Sequence, residues 1–305
     1  ASWVRWMRGK PAEVPTEDVD EATAEQQLAE AEAAGGLEDL KSPHPSGPRP
    51  AALFPDFPAP SAEEEAKADE LERMIADSIT TAEAREFATR DCLHRFLRAR
   101  SYDLAKAADL ITKSITWRSQ TVDGKRMVCT FCEEDGGSHC FFPLGLDVHK
   151  RPVVYCCQAR AKINGIGDAI PHMTYALEHC FNIPGCTGQW VWIVDFNGYG
   201  MRHATQVKTA ATTVQTFANN YPERLGAVIL LDPPRAFKFL FNACYPLIDA
   251  KTASKVLFLR QDEKWEQLPK ILNEEMIAWL KEALAMEPVP ENLPPPPACA
   301  PTIAL

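Results

Sequence analysis

At 305 residues and 46% hydrophobic content, the chain can bury one large domain or two ordinary ones. No stretch approaches the ~18 uninterrupted apolar residues of a membrane-crossing helix. The formal net charge of -10 is carried by the first seventy residues, which leaves 71–305 balanced and without the basic face that nucleic acid requires.

The chain opens on ASWVRWMRGK, where two tryptophans among three cations suit a membrane interface or a docking site as readily as a loose terminus. It starts at Ala1-Ser2 rather than Met, as a processed or fragmentary chain would, and no apolar signal core is visible. Residues 11–40 are rich in Ala and Glu and suit a solvated helix; Pro43 to Pro60 read as an extended linker. Residues 1–60 are therefore expected to form an acidic, Pro-rich flexible arm that cannot build a core.

Ser61-Ala-Glu-Glu64 has the form of a capping box, and Leu71, Met74, Ile75 and Ile79 follow at helical spacing. Cys92, Leu93, Phe96 and Leu97 mark a second helix. Leu104, Ala108, Ile111 and Ile115 mark a third, so 61–125 read as a small helical lobe. From Phe141 strands and helices alternate. Strands are expected at Val153–Cys157, Trp190–Asp195, Ala227–Asp232 and Val256–Arg260, with helices at His172–Phe181, Thr205–Asn219 and Ala236–Tyr245. That grammar predicts an α/β fold with a largely parallel sheet over 126–265. Residues 266–305 supply a closing helix, Leu268–Leu284, and a Pro-rich tail expected to be loose.

Ten cysteines form no regular disulfide framework, and Cys156-Cys157 falls inside a strand, which points to a reducing compartment. The expected location is cytoplasmic and peripheral at membranes, or an organelle if a targeting peptide has been removed. No nucleophile elbow, Walker loop or zincin helix is present, and Asn164-Gly-Ile-Gly167 and Asn197-Gly-Tyr-Gly200 read as turns. The chain is not expected to be an enzyme. One constellation offers metal chemistry: Cys129-x-x-Cys132 followed by His139-Cys140 could supply thiolates and imidazole to zinc, with Glu133 to Gly137 as a flexible knuckle. Reduced cysteines packing a loop satisfy the same pattern, and a metal-dependent enzyme built on Cys129, Cys132 and His139 is a third reading.

Two polar stretches lead into buried strands. NNYPERLG places Glu223 and Arg224 before the apolar run Ala227–Leu231, a poor place for idle charges. Asp249-Ala-Lys-Thr-Ala-Ser-Lys255 leads into VLFLR in the same way, so pairing of the two strands would bring Glu223, Thr252 and Lys255 to one end of the sheet. Between them, Phe237, Leu240, Phe241 and Cys244 share a helix face that either completes the core or lids an apolar cavity.

RFLRAR (Arg95–Arg100), YPERLG (Tyr221–Gly226) and KTASK (Lys251–Lys255), in this order, resemble the CRAL-TRIO lipid-binding proteins, over roughly Leu71 to Gln261. The resemblance implies a helical amino-terminal lobe and a sheet floor under an apolar pocket. A gating helix would close the pocket, here the one containing Phe237, Leu240, Phe241 and Cys244. In phosphatidylinositol-binding members the headgroup is held by residues matching Arg100, Glu223, Thr252 and Lys255. Arg and Lys donors suit a phosphodiester and a carboxylate suits inositol hydroxyls, while Arg224 would secure the turn. Such members tend to carry Lys immediately after RFLRAR, where this chain has Ser101. The implied ligand is a single phospholipid, phosphatidylinositol first, or an isoprenoid. No cofactor is required, the membrane contact is transient, and the 1–60 arm is free to bind a protein. The alternative is an accessory or scaffold subunit of a larger assembly that keeps the fold without transferring lipid.

Overall fold

The computed structural model describes residues 17–33, 59–163, 165–261, 263–290 and 292–301. The tryptophan-bearing first ten residues, most of the linker and Asn164 lie outside the described residues.

Within the arm, α1 (Glu21–Ala33) is helical, with Asp20 accepting from the Thr23 amide and hydroxyl at its start. The helical lobe comprises α2 (Ala62–Met74), α3 (Ala82–Phe87), α4 (Arg90–Ala99) and α5 (Leu104–Thr121). Each starts on a side chain suited to an orphan amide: Ser61, Thr81, Thr89 and Asp103 all accept from the first turn, and Ser61 with Glu64 completes the capping box. Leu71, Ile75, Leu93, Phe96, Leu97 and Ile111 form the lobe's core. A fork from Arg118 to Glu178, at 2.9 and 3.0 Å, ties this lobe to the rest.

After the short α6 (Thr130–Glu134) comes the sheet: β1 (Phe141–Leu146), β2 (Pro152–Cys157), β3 (Trp190–Asp195), β4 (Leu225–Leu231) and β5 (Val256–Leu259). β1 and β2 form an antiparallel hairpin, and β2 to β5 run parallel. The spatial order equals the chain order, β1-β2-β3-β4-β5. Every crossover therefore steps the same way, and the right-handed rule sends all crossover helices to one face. That face carries α7 (Ile166–Phe181), the short α8 (Met201–Ala204), α9 (Val207–Asn220) and α10 (Arg235–Cys244). The opposite face must be covered by chain arriving after β5. Leu268, Ile271, Leu272 and, from α12 (Glu274–Ala285), Met276, Trp279 and Leu280 do so, packing on Val153, Val191, Ile193, Ile229 and Leu257.

Three features differ from the sequence-based expectations. β1 is a strand although FFPLGL reads as none, because a bulge at Gly145 (φ 126°) absorbs the irregularity. The closing helix starts at Glu274 rather than near Leu268: Pro269 sits in a separate tight turn and Asn273 caps the new helix through the Met276 amide. The tail is packed rather than loose. The Trp279 indole donates to Pro294 O, and the Cys299 thiol and carbonyl lie against β1 at Leu144 and Gly145.

Candidate functional site

A stripe on the helix-covered face of the sheet is incompletely buried. Cys156, Trp192, Val194 and Val228 are only half-buried, whereas their opposite-facing neighbours Val191, Ile193 and Ile229 are wholly buried. The cause is a division in the covering layer. α7 and α9 pack over Phe141, Val154 and Trp190, while α10 packs Phe237 and Phe241 on Phe196, Leu230 and Phe258. The stripe is apolar throughout.

α10 has two apolar sides. Leu240 and Cys244 are buried against Val207 and Ala211 of α9, whereas Phe237, Phe239 and Phe241 are only half-buried. Val19 also packs into this group. Its amide donates to Thr205 O, and Asp18 accepts from the Lys208 amide at 2.8 Å. α1 thus lies against α8 and α10 with Ala24 fully buried, so residues 17–33 are held to the body rather than free of it.

At the amino ends of β4 and β5 the chain gathers charges. Glu223 is nearly buried in a left-handed conformation (φ 62°) and pairs with Lys251 at 2.6 Å. The Lys255 ammonium, buried, donates to Leu225 O at 2.6 Å; burial lowers its pKa, and Glu223 opposes that shift. Among the described residues, one of its three donors is thereby used. Thr252 lies on α11 (Ala250–Ala253), its hydroxyl donating to the capping Asp249. The parallel pairing of β4 with β5 accordingly brings Glu223, Thr252 and Lys255 to one corner. Arg100 ends α4 and donates to Ala99 O, and among the described residues no hydrogen bond or ion pair joins it to the other three. Lys251 was not among the residues singled out from the sequence, although its four-residue spacing from Lys255 would have allowed it. Arg224 anchors the turn, donating to Gly188 O and lying 4.5 Å from the Phe181 ring.

The cysteine and histidine residues meet at a separate place. Cys129 immediately precedes α6, Cys132 lies on it, and His139 precedes β1. His139 Nδ1 is 3.5 Å from both sulfurs. The fourth member is His172 of α7, whose Nδ1 is 3.6 Å from Cys132 Sγ. Cys140 is not part of this cluster: adjacent residues of an extended segment point to opposite sides, and Cys140 faces the sheet core beside Leu144 and Tyr155. His172 Nε2 donates to Phe141 O at 2.8 Å, and burial pushes its pKa down to about 4, so the imidazole is neutral. A polar cleft of about 370 Å³ opens at the carboxyl ends of the strands, lined by Gln158, Lys162, Arg202 and Gln206 among others. Its lining does not suit an acyl chain.

The CRAL/TRIO domain model matches residues 137–278, and the model of the CRAL/TRIO N-terminal domain matches 62–113. "Protein real-time" of Aedes aegypti is 28% identical over 191 residues, covering 54% of this chain and 28% of that protein. "Phosphatidylinositol transfer protein PDR17" of Saccharomyces cerevisiae is 25% identical over 192 residues, covering 58% of this chain and 53% of that one. The chain thus spans about a quarter to a half of the length of these curated relatives. The crystal structure of Sfh5 superimposes with a TM-score of 0.55 at 13% identity, over 69% of this chain and 85% of that one, a likeness of fold.

Proposed function

The chain belongs to the CRAL/TRIO family of lipid binders, and on that premise we propose that it holds and transfers a single phospholipid, with phosphatidylinositol as the leading ligand. The observation that carries this reading is the incompletely buried apolar stripe between the sheet and α10. A sheet with no reversal of strand order lacks the switch-point crevice that takes a nucleotide, and the cleft at its carboxyl ends is polar, so an acyl ligand would enter between layers. Acyl chains would lie along Trp192, Val194 and Val228 beneath Phe237 and Phe241. Opening of α10 at a membrane surface would set the exchange rate. Glu223, Thr252 and Lys255 would receive the headgroup together with Arg100 from the end of α4, and Lys251 would be an added cation. Binding, not catalysis, is the activity proposed.

Native mass spectrometry of the purified chain, followed by extraction and identification of the lipid, tests this, with Lys255→Ala run in parallel. One inositol phospholipid per chain, lost from the variant, is expected. A neutral isoprenoid retained by the variant would remove the headgroup assignment but keep the pocket. A chain that stays empty after incubation with mixed-lipid vesicles would overturn the carrier reading.

A second reading, a scaffold subunit with the same fold, draws on the docking of α1 against α10, which would hold the lipid entrance shut. It predicts an empty chain that associates with a partner through residues 1–60.

A further inference from the structure

We propose that Cys129, Cys132, His139 and His172 form a structural zinc site. The four ligand atoms lie within 4.8 Å of one another, and three of the four residues are buried. Tetrahedral zinc with ordinary Zn–S and Zn–N bonds places sulfur and nitrogen about 3.5–3.6 Å apart. Three of the four sulfur–nitrogen separations are 3.5, 3.5 and 3.6 Å, and the fourth, Cys129 to His172, is within 4.8 Å. The remaining separations, all within 4.8 Å, close to tetrahedral values with a movement of about 1.5 Å or less.

Hydrogen bonding alone serves these four groups poorly. His139 Nδ1 faces two sulfurs at once, yet that nitrogen has either one proton or one lone pair to offer. His172 has its proton on Nε2, because the Phe141 carbonyl there can only accept; the Nδ1 lone pair therefore points at Cys132. Fixing a ligating imidazole through its far nitrogen is how proteins orient metal-bound histidine. The two rings stack at 4.6 Å, an arrangement for neutral imidazoles rather than two cations. A central cation uses all four lone pairs, and each thiol releases its proton to solvent as it binds.

Two sulfurs and two nitrogens select zinc among common divalent ions, and a full set of four protein ligands makes the site structural rather than catalytic. Its placement gives it a task. Cys129 and Cys132 lie on the segment that leaves the helical lobe, His139 leads into β1, and His172 belongs to a helix over the sheet. A metal there fastens the junction between the two lobes. The neighbouring bond from His179 to Met127 O joins the same two segments.

The test is metal analysis of the full chain purified without added metal, together with cobalt titration of the chelator-treated protein. One zinc per chain is expected, and cobalt should give the thiolate charge-transfer absorption and intense visible bands of a tetrahedral site. His172→Gln and Cys132→Ser should each lose at least nine-tenths of the zinc, whereas Cys140→Ala keeps it. Removing zinc should lower Tm by about 5 °C or more, with faster amide exchange over 129–140 and the sheet unaffected. Absence of both zinc and cobalt binding by the reduced chain would overturn the proposal, as would a Cys129–Cys132 disulfide in its place. Loss of metal from Cys140→Ala with retention in His172→Gln would overturn this donor set. Bound lipid is read out separately, so failure of this site and failure of the carrier reading are distinguishable.

Discussion

Glu223 occupies a backbone conformation that costs a non-glycine residue about 1–2 kcal/mol, at the point where its carboxylate meets Lys251. The pair does little to offset that cost, since Lys251 is half-exposed and such pairs are worth about 1 kcal/mol or less. A residue kept for stability would be glycine. Glu223→Gly is therefore expected to leave urea-unfolding stability within about 1 kcal/mol of the parent while abolishing retention of an inositol lipid; unchanged retention would remove Glu223 from the site. Asp249 behaves differently. Its burial opposes ionisation, but the Thr252 hydroxyl and the amides of Thr252 and Lys251 outweigh this and hold its carboxyl below the usual range. A folded-state pKa below the unfolded one stabilises the fold above the ordinary carboxylate range, and the contribution is lost as pH falls through the depressed value. Asp249→Ala should cost about 1 kcal/mol near neutral pH, as loss of a helix cap does. The deficit should shrink below about pH 4, modestly, because the carboxylate is partly solvated. Urea unfolding at the two pH values reads this directly, and a deficit that grew in acid would refute it.

α10 is suited to movement because its two sides are unequally held. Leu240 and Cys244 are sunk against α9, but the three phenylalanines are half-buried. Docking of α1 and the residues just before it adds a latch of modest strength: the buried Ala24 methyl at about 0.8 kcal/mol, the packed Val19, and two hydrogen bonds from Asp18 and Val19 at about 1 kcal/mol each. Ala24→Asp should release it, and vesicle-to-vesicle lipid transfer should then quicken several-fold; an unchanged rate would show that α1 does not restrain α10. Much at this scale was legible beforehand. Residues 190–194 and Val256–Leu259 are continuous apolar runs too short for a buried helix, as a strand covered on both faces requires. β1 was not legible because Pro143 and Gly145 are residue types that count against a strand, and α3, at six residues, is too short to show a period. In the polar corner, YPERLG and KTASK pointed to Glu223, Thr252 and Lys255, but the position of Arg100 depends on how two lobes meet, which no local pattern encodes. His172 was invisible for a related reason. It lies 40 residues from Cys132, and only the packing of α7 beside β1 brings them together.

For the molecule as a whole, a carrier has to match the bilayer rather than exceed it. Two acyl chains hold about thirty methylenes at roughly 0.8 kcal/mol each, so a lipid is worth about 25 kcal/mol on either side of the exchange. The difference between lipids then rests on a few polar contacts, and an emptied protein leaves apolar surface uncovered. Delipidation should lower Tm, and re-addition of the cognate lipid should restore it in proportion to occupancy; a Tm indifferent to lipid would speak for the scaffold. The chain-ordered sheet also has a consequence for how this protein is made. A ribosome delivers β1 through β5 in the order in which they lie side by side, each with its crossover helix already available to cover one face. The other face waits for Leu268 to Ala283. During that interval Val153, Ile193, Ile229 and Leu257 form a nearly finished but greasy wall, the state in which nascent chains are most prone to aggregate and most in need of a chaperone.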